Sequence, residues 1–225
     1  MNRLRRPRHD VALLLVLGLG IRELFSFWTG HPFDTEIWLR NAYYVAHGWN
    51  PYSLMPPVSG VSFAYTGNLL PSVGYLPLWS LLLAGLYQLY ALVPGGTRFL
   101  LYLLVKQPPI LGDTALGALI FKAAMRWGAP RRVARRLLEL WMVFPYPILI
   151  SAIWGQFDSM VAALVLASVL AASSWKRFGF VGLGVLLKLF PIIFVPYGFL
   201  QTKGRSRWST ILAVAIPALF TTGVF

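Results

Sequence analysis

The chain has no cysteine, which excludes disulfides and thiolate metal sites and leaves its redox compartment unreadable. Acid is scarce as well: 7 Asp and Glu stand against 20 Lys and Arg in 225 residues. There are three histidines, and no HExxH or other metal-ligand spacing places them together. His31 and His47 read as loop residues rather than ligands. No internal repeat or low-complexity tract is present. Charged residues make up 12% of the chain, about half the soluble norm of roughly 25%.

What fills the chain instead is apolar. Hydrophobic residues reach 57% and the mean hydropathy is +0.65, the composition of an integral membrane protein. The net charge of +13 does not argue for nucleic acid. The basic residues cluster in short stretches: NRLRRPR (2–8), RWGAPRRVARR (126–136), WKR (175–177) and KGRSR (203–207). This is the positive-inside signature of cytoplasmic loops, and it favours contact with anionic lipid headgroups.

Hydropathy and charge together predict an all-α, polytopic transmembrane bundle in the cell membrane. A first helix runs from about Val11 to Trp28, its basic N-terminus cytoplasmic. No small-x-small cleavage site follows it, so it reads as a retained anchor. Residues 29–98 form a first external loop whose aromatic content argues for packing. Within it, 74–93 is long enough to span, but a crossing there would put RWGAPRRVARR outside. It is therefore expected to lie along the outer surface. Residues 99–124 then cross inward, Leu137 to Ile153 outward and Met160 to Ser174 back. Lys188 and Pro191 interrupt 178–200, which suggests two short or broken crossings with Lys188 near the outer turn. The apolar stretch Trp208 to Phe225 stops inside a candidate helix, as a chain cut short at its C-terminus would. The whole is one module, 1–225.

On this topology Asp34, Glu36, Asp158 and Lys188 share the outer side, and Asp113 lies in the outer half of its helix. An acid at the bilayer centre costs roughly 2.5–3.5 kcal/mol, so such acids are shielded, paired or functional. Each has a plain reading beside the chemical one. Asp34 caps a helix or acts as a base. Glu36 answers the dipole of that helix or supports Asp34, and Asp-x-Glu also offers oxygen ligands to a divalent cation. Asp113 pairs with Lys106 two turns away or belongs to a site. Asp158 caps the next helix or joins Trp154 and Gln156, a mixture of indole, amide and carboxylate common in sugar sites. Lys188 snorkels or meets a phosphate.

These residues, in this order, resemble GT-C glycosyltransferases. DTE (34–36) is similar to the acid after their first transmembrane helix, and LPSVGYLPLW (70–79) to their juxtamembrane helix, although Tyr75–Leu76–Pro77 stands where YPP is usual. KQPPILGD (106–113) resembles their second crossing and LLKLFPIIFVPYGFL (186–200) their lysine-proline segment. WGQFDS (154–159) resembles the WGQ-x-D-S motif of bacterial and archaeal mannosyltransferases related to the enzyme that adds the second mannose of glycosylphosphatidylinositol. More distantly, the layout is similar to the eukaryotic glucosyltransferases that extend the lipid-linked oligosaccharide. The resemblance covers about residues 10–200, and the chain is shorter than such enzymes.

It implies transfer of a hexose, mannose by the likeness, from a polyprenyl-phosphate sugar to a lipid-linked or glycan acceptor hydroxyl, with inversion, on the external face. Asp34 is then the general base. Lys188 stabilises the departing phosphate, Gln156 and Asp158 position a sugar, and Glu36 and Asp113 orient the acceptor or support the site. A divalent cation is not required, because the leaving-group charge has a lysine partner. Two other functions fit the composition. A transporter or lipid flippase would place its ionisable residues at the midplane, often within repeats. A non-catalytic truncated paralogue would fit the abrupt end.

Overall fold

A computed structural model describes residues 9–65 and 67–201, together with 208, 211, 212, 215 and 219. The basic stretches 2–8 and 203–207, and nearly all of the expected last helix, lie outside the described residues. Among the described residues the chain is helical, with no strand beyond an isolated antiparallel bridge between Met55 and Leu70.

Helix α1 spans His9–Trp28. The window Asp10–Trp28 is long and apolar enough to cross a membrane, with a mean hydropathy of 1.8. Among the described residues a second candidate exists only if two bent helices count as one span. These are α5 (Arg131–Val143) and α6 (Pro145–Ile148), the latter continuing as a π-helical turn over Leu149–Trp154. The bend is 45°. Pro145 has no N–H to continue the ladder, and its ring clashes with the carbonyl four residues back. The segment 137–153, expected as a single crossing, is thus bent.

Helix α2 (Pro32–Ala46) opens with proline, whose missing N–H costs nothing in a first turn. His31 is its N-cap, its Nδ1 accepting from the Asp34 N–H at 3.3 Å. Helix α3 (Pro77–Ala91) starts the same way and packs on α2. Helix α4 (Arg98–Arg126) is the longest, at 29 residues, and carries Pro108 and Pro109 inside it. Helices α7 (Asp158–Leu170) and α8 (Ser174–Leu187) pack on each other, and α7 on α4. The chain breaks at Lys188, where the backbone is extended, before a 3-10 turn (Phe190–Ile193) and α9 (Phe194–Gln201). The interruption expected around Lys188 is present.

Two further differences from the sequence reading concern charge. Arg131 to Arg136 are not a loop but the first turns of α5, and the WKR arginine and lysine sit in the first turn of α8. Arginine and lysine are good helix formers, so a basic run need not be loop. Asp113 does not pair with Lys106. Its Oδ2 accepts from Arg22 Nε at 2.6 Å and from Ser151 Oγ at 2.9 Å, tying α1, α4 and the π turn together. Arg22 also donates to the Met142 and Trp141 carbonyls at the end of α5. Lys106 instead gives its ammonium to the carbonyls of Ser26 and Thr29, at 3.0 and 2.7 Å, where α1 runs out of intrahelical donors.

The long segment after α2 is held by one internal strut. Arg40 donates to Glu36 Oε1 at 2.7 Å and to the carbonyls of Met55, Tyr65 and Asn68. Glu36 Oε2 accepts the N–H groups of Phe63 and Ala64. A buried ion pair stands only when its remaining hydrogen-bonding positions are met; here the loop backbone meets them.

Candidate active site

The site grows from the Trp154–Asp158 turn. Gly155 ends the π turn at φ +88°, and a Cβ there would lie 3.1 Å from the Trp38 ring. Glycine meets both demands, since it alone takes positive φ without steric cost and leaves room for the indole. The Gly155 and Gln156 N–H groups both return to the Ile150 carbonyl. Phe157 then turns inward and is fully buried. It stacks on Trp79 at 4.2 Å and meets Tyr75 edge-on at 4.9 Å. With Phe157 fixed, its two neighbours project from the opposite side of the turn.

One neighbour, Gln156, donates to Asp34 Oδ2 at 2.8 Å, and Trp154 Nε1 donates to the same oxygen at 2.6 Å. His31 stacks on Trp154 with ring centroids 4.9 Å apart, and its Nδ1 lies 3.4 Å from Asp34 Oδ2. Asp34 lies in the first turn of α2 but does not cap it; His31 does. Both side-chain bonds fall on Oδ2, so among the described residues Oδ1 takes no hydrogen bond. The Gln156 Oε1 is buried without a donor among the described residues.

The other neighbour, Asp158, accepts from Lys188 Nζ at 2.6 Å. It is the first residue of α7 rather than its cap, which is Phe157. The Lys188 ammonium also lies over the rings of Tyr75 and Phe157, at 5.2 and 5.0 Å, within the range of cation–π attraction. Tyr75 joins the two groups. Burial pushes its phenol above the ordinary range, and the charges of Asp158 and Asp34 push in the same direction. Five of the seven sequence-predicted residues, Asp34, Trp154, Gln156, Asp158 and Lys188, therefore stand around one turn.

Glu36 and Asp113 stand elsewhere. Both are fully buried. Glu36 turns to Arg40 and the loop backbone, and its carboxyl is held below its ordinary value: burial opposes ionisation, but the Phe63 and Ala64 N–H groups, the Ser62 hydroxyl and Arg40 outweigh it. Its oxygens are thereby occupied, so the Asp-x-Glu pair does not present a joint cation site. Among the described residues no group of three or more His, Asp or Glu is arranged to hold a metal ion.

Sequence reasoning missed His31, Tyr75 and Lys106 as parts of the site's frame. A histidine three residues before an acid, ahead of a proline-initiated helix, is the signal for the first. A cleft of about 370 Å³ opens beside the α1–α2 junction, lined among others by Phe27, Trp28, Phe63, Phe99, Tyr102 and Arg98.

The model of glycosyltransferase family 87 matches residues 54–224, most of the chain, and the chain belongs to that family. The matched region contains Trp154, Gln156, Asp158 and Lys188, while Asp34 precedes it. Proteins of this family are typically membrane proteins. No curated protein and no solved structure matches the chain.

Proposed function

We propose that this glycosyltransferase is a GT-C enzyme of the cell membrane. It moves a hexose, mannose by resemblance, from a polyprenyl-phosphate sugar to a hydroxyl of a lipid-linked or glycan acceptor. The observation that carries the reading is the meeting of Asp34 with Trp154 and Gln156 across the fold, beside the Lys188–Asp158 pair. A carboxylate with one uncommitted oxygen and a lysine ammonium then flank one aromatic-walled turn.

In the transfer, the acceptor oxygen attacks the anomeric carbon and gives its proton to Asp34 Oδ1. The bond between that carbon and the phosphate oxygen breaks, and the configuration inverts. The polyprenyl phosphate leaves with the bonding electrons, and Lys188 meets the growing negative charge. An ammonium has three donors; one goes to Asp158, and two remain for phosphate oxygens. Trp154 and Gln156 fix the base, and Gln156 and Asp158 face the sugar. Glu36 and Asp113 act as positioning residues, through α2 and through the α1–α4 contact. No metal is required for charge that a lysine already offsets.

The buried charges support a placement in the bilayer. Helix α4, at 29 residues, is about 43 Å long. Its Asp113 is paired with Arg22 and its Lys106 ammonium is solvated by the Ser26 and Thr29 carbonyls, which lowers the usual penalty for a span. We read the chain as multi-pass, its N-terminus cytoplasmic and its transfer site external. The aromatic cleft beside the α1–α2 junction suits the first part of a polyprenyl chain.

The test is mass spectrometry of lipid bound to the gently solubilised protein after incubation with polyprenyl-phosphate mannose. Wild type should retain it and Lys188→Ala should lose at least tenfold. Equal retention in the two sinks the phosphate role of Lys188.

A further inference from the structure

We infer that the far end of α1 holds a separate binding cleft for the phosphate headgroup of an anionic phospholipid. The cleft measures about 520 Å³ and is lined by Asp10, Arg131, Arg132, Arg135, Arg136 and Glu139. It lies at the N-terminus of α1, whose 20 residues run about 30 Å before the Asp34 turn. It is therefore distinct from the transfer site, and the inference does not depend on the transfer reaction.

Charge is the first argument. Four guanidiniums face two carboxylates. Arg131 pairs with Asp10 at 2.6 Å and Arg135 with Glu139 at 2.6 Å. Among the described residues Arg132 and Arg136 have no acidic partner. All four sit in the first turns of α5, which has no acidic residue in its first turn and no side-chain cap. The macrodipole makes that end positive, so cations there are disfavoured unless an anion answers them. A phosphate accepts a guanidinium fork in pairs as a carboxylate does, and it has oxygens enough to answer more than one arginine.

The second argument is the face beside it. Ala134, Leu138 and Met142 form the packed seam of α5. Arg131 and Arg135 flank that seam, and Arg132 and Arg136, at i and i+4, form the stripe beyond them. Val133, Leu137 and Leu140 form the stripe beyond it, and all three are exposed. Residues at these spacings share a face. Basic and apolar stripes thus run side by side, which suits a headgroup and its acyl chain. A soluble phosphate would use only the first stripe.

The experiment measures lipid binding to the full chain in detergent by native mass spectrometry, with phosphatidylglycerol and phosphatidylcholine as probes and inorganic phosphate as competitor. Phosphatidylglycerol should bind at least tenfold tighter than phosphatidylcholine. Arg132→Gln with Arg136→Gln should cut that preference at least tenfold, since two basic residues at about 1 kcal/mol each correspond to roughly thirtyfold. Glu139→Gln removes the competing acid and should raise phosphatidylglycerol binding severalfold, a gain that misfolding cannot imitate. Equal binding of the two lipids, or an unchanged preference in the double variant, overturns the site. Displacement of phosphatidylglycerol by millimolar phosphate would assign the cleft to a soluble anion and overturn the lipid.

Discussion

The indole N–H of Trp154 donates to Asp34 Oδ2 at 2.6 Å, a bond between residues 120 apart. Glu36, two residues from Asp34, turns the other way, to Arg40 and the loop backbone. One short helix thus presents a carboxylate to each side. The one toward Trp154 keeps an oxygen without a hydrogen bond among the described residues, and the other is spent on structure.

Asp34→Asn keeps the shape and an acceptor oxygen for Trp154 but removes the base. Transfer should fall by about 10²–10⁴-fold, the usual contribution of a positioned general base, with little change in thermal unfolding. Transfer of labelled hexose in proteoliposomes reads the first and a melting curve the second. Wild-type turnover in this variant removes Asp34 as the base.

Gly155→Ala puts a methyl against Trp38 at a φ of +88°. The left-handed conformation costs a non-glycine residue about 1–2 kcal/mol. At this chain length that lowers Tm by about 2–8 °C. Because the turn aims Trp154 and Gln156, transfer should fall further than the melting shift accounts for. Activity tracking stability alone would count against that positioning.

Arg22→Met and Asp113→Leu should each destabilise by about 3–5 kcal/mol, since either leaves a buried charge without its partner. The double replacement should lose much less, because neither charge remains. A double-mutant cycle by denaturant unfolding measures the coupling. Additive losses would mean the pair does not bind α1 to α4.

Glu36 has a carboxyl held below its ordinary 4.5. A depressed folded value means stability that is fully present above about 4.5 and is lost as pH falls through the lower value. The segment around Phe63 and Ala64 should therefore loosen in acid. Glu36→Gln should remove that pH dependence and open the segment at neutral pH as well. Hydrogen exchange at the Phe63 and Ala64 amides, followed from pH 6 downward, provides the check; acid-independent protection in the wild type would sink it.

Much of the frame was legible in the chain. Prolines at 32, 77 and 145 mark helix starts, and Lys188 marks the break that the structure shows. Asp34 and the Trp154–Asp158 turn could be picked out because acids and amides are conspicuous in so apolar a sequence. What was not legible is pairing. Lys106 and Asp113 lie on one helix seven residues apart, and local spacing joins them. The fold gives each a better partner on α1, 77 to 91 residues away, because Arg22 brings a guanidinium N–H within 2.6 Å of Asp113 and the end of α1 brings bare carbonyls. The arginines of α5 misled for a related reason: charge alone does not separate a basic loop from a basic helix. Among the described residues only α1 is by itself long and apolar enough to cross a membrane, and the charges within α4, Lys106 and Asp113 among them, depress its hydropathy.

The distance in sequence between the parts of the Trp154 turn has a consequence for synthesis. Asp34 emerges early, its two donors follow about 120 residues later, and Lys188 later still. At about 5–20 residues per second a ribosome takes roughly 6–24 s to bring Trp154 to Asp34. Until then Asp34 is without its two long-range donors, a few residues beyond the apolar α1. α1 and α2 are therefore synthesised before the Trp154 turn can assemble on them. A substitution in the turn acts last, on chains whose first half is already in place.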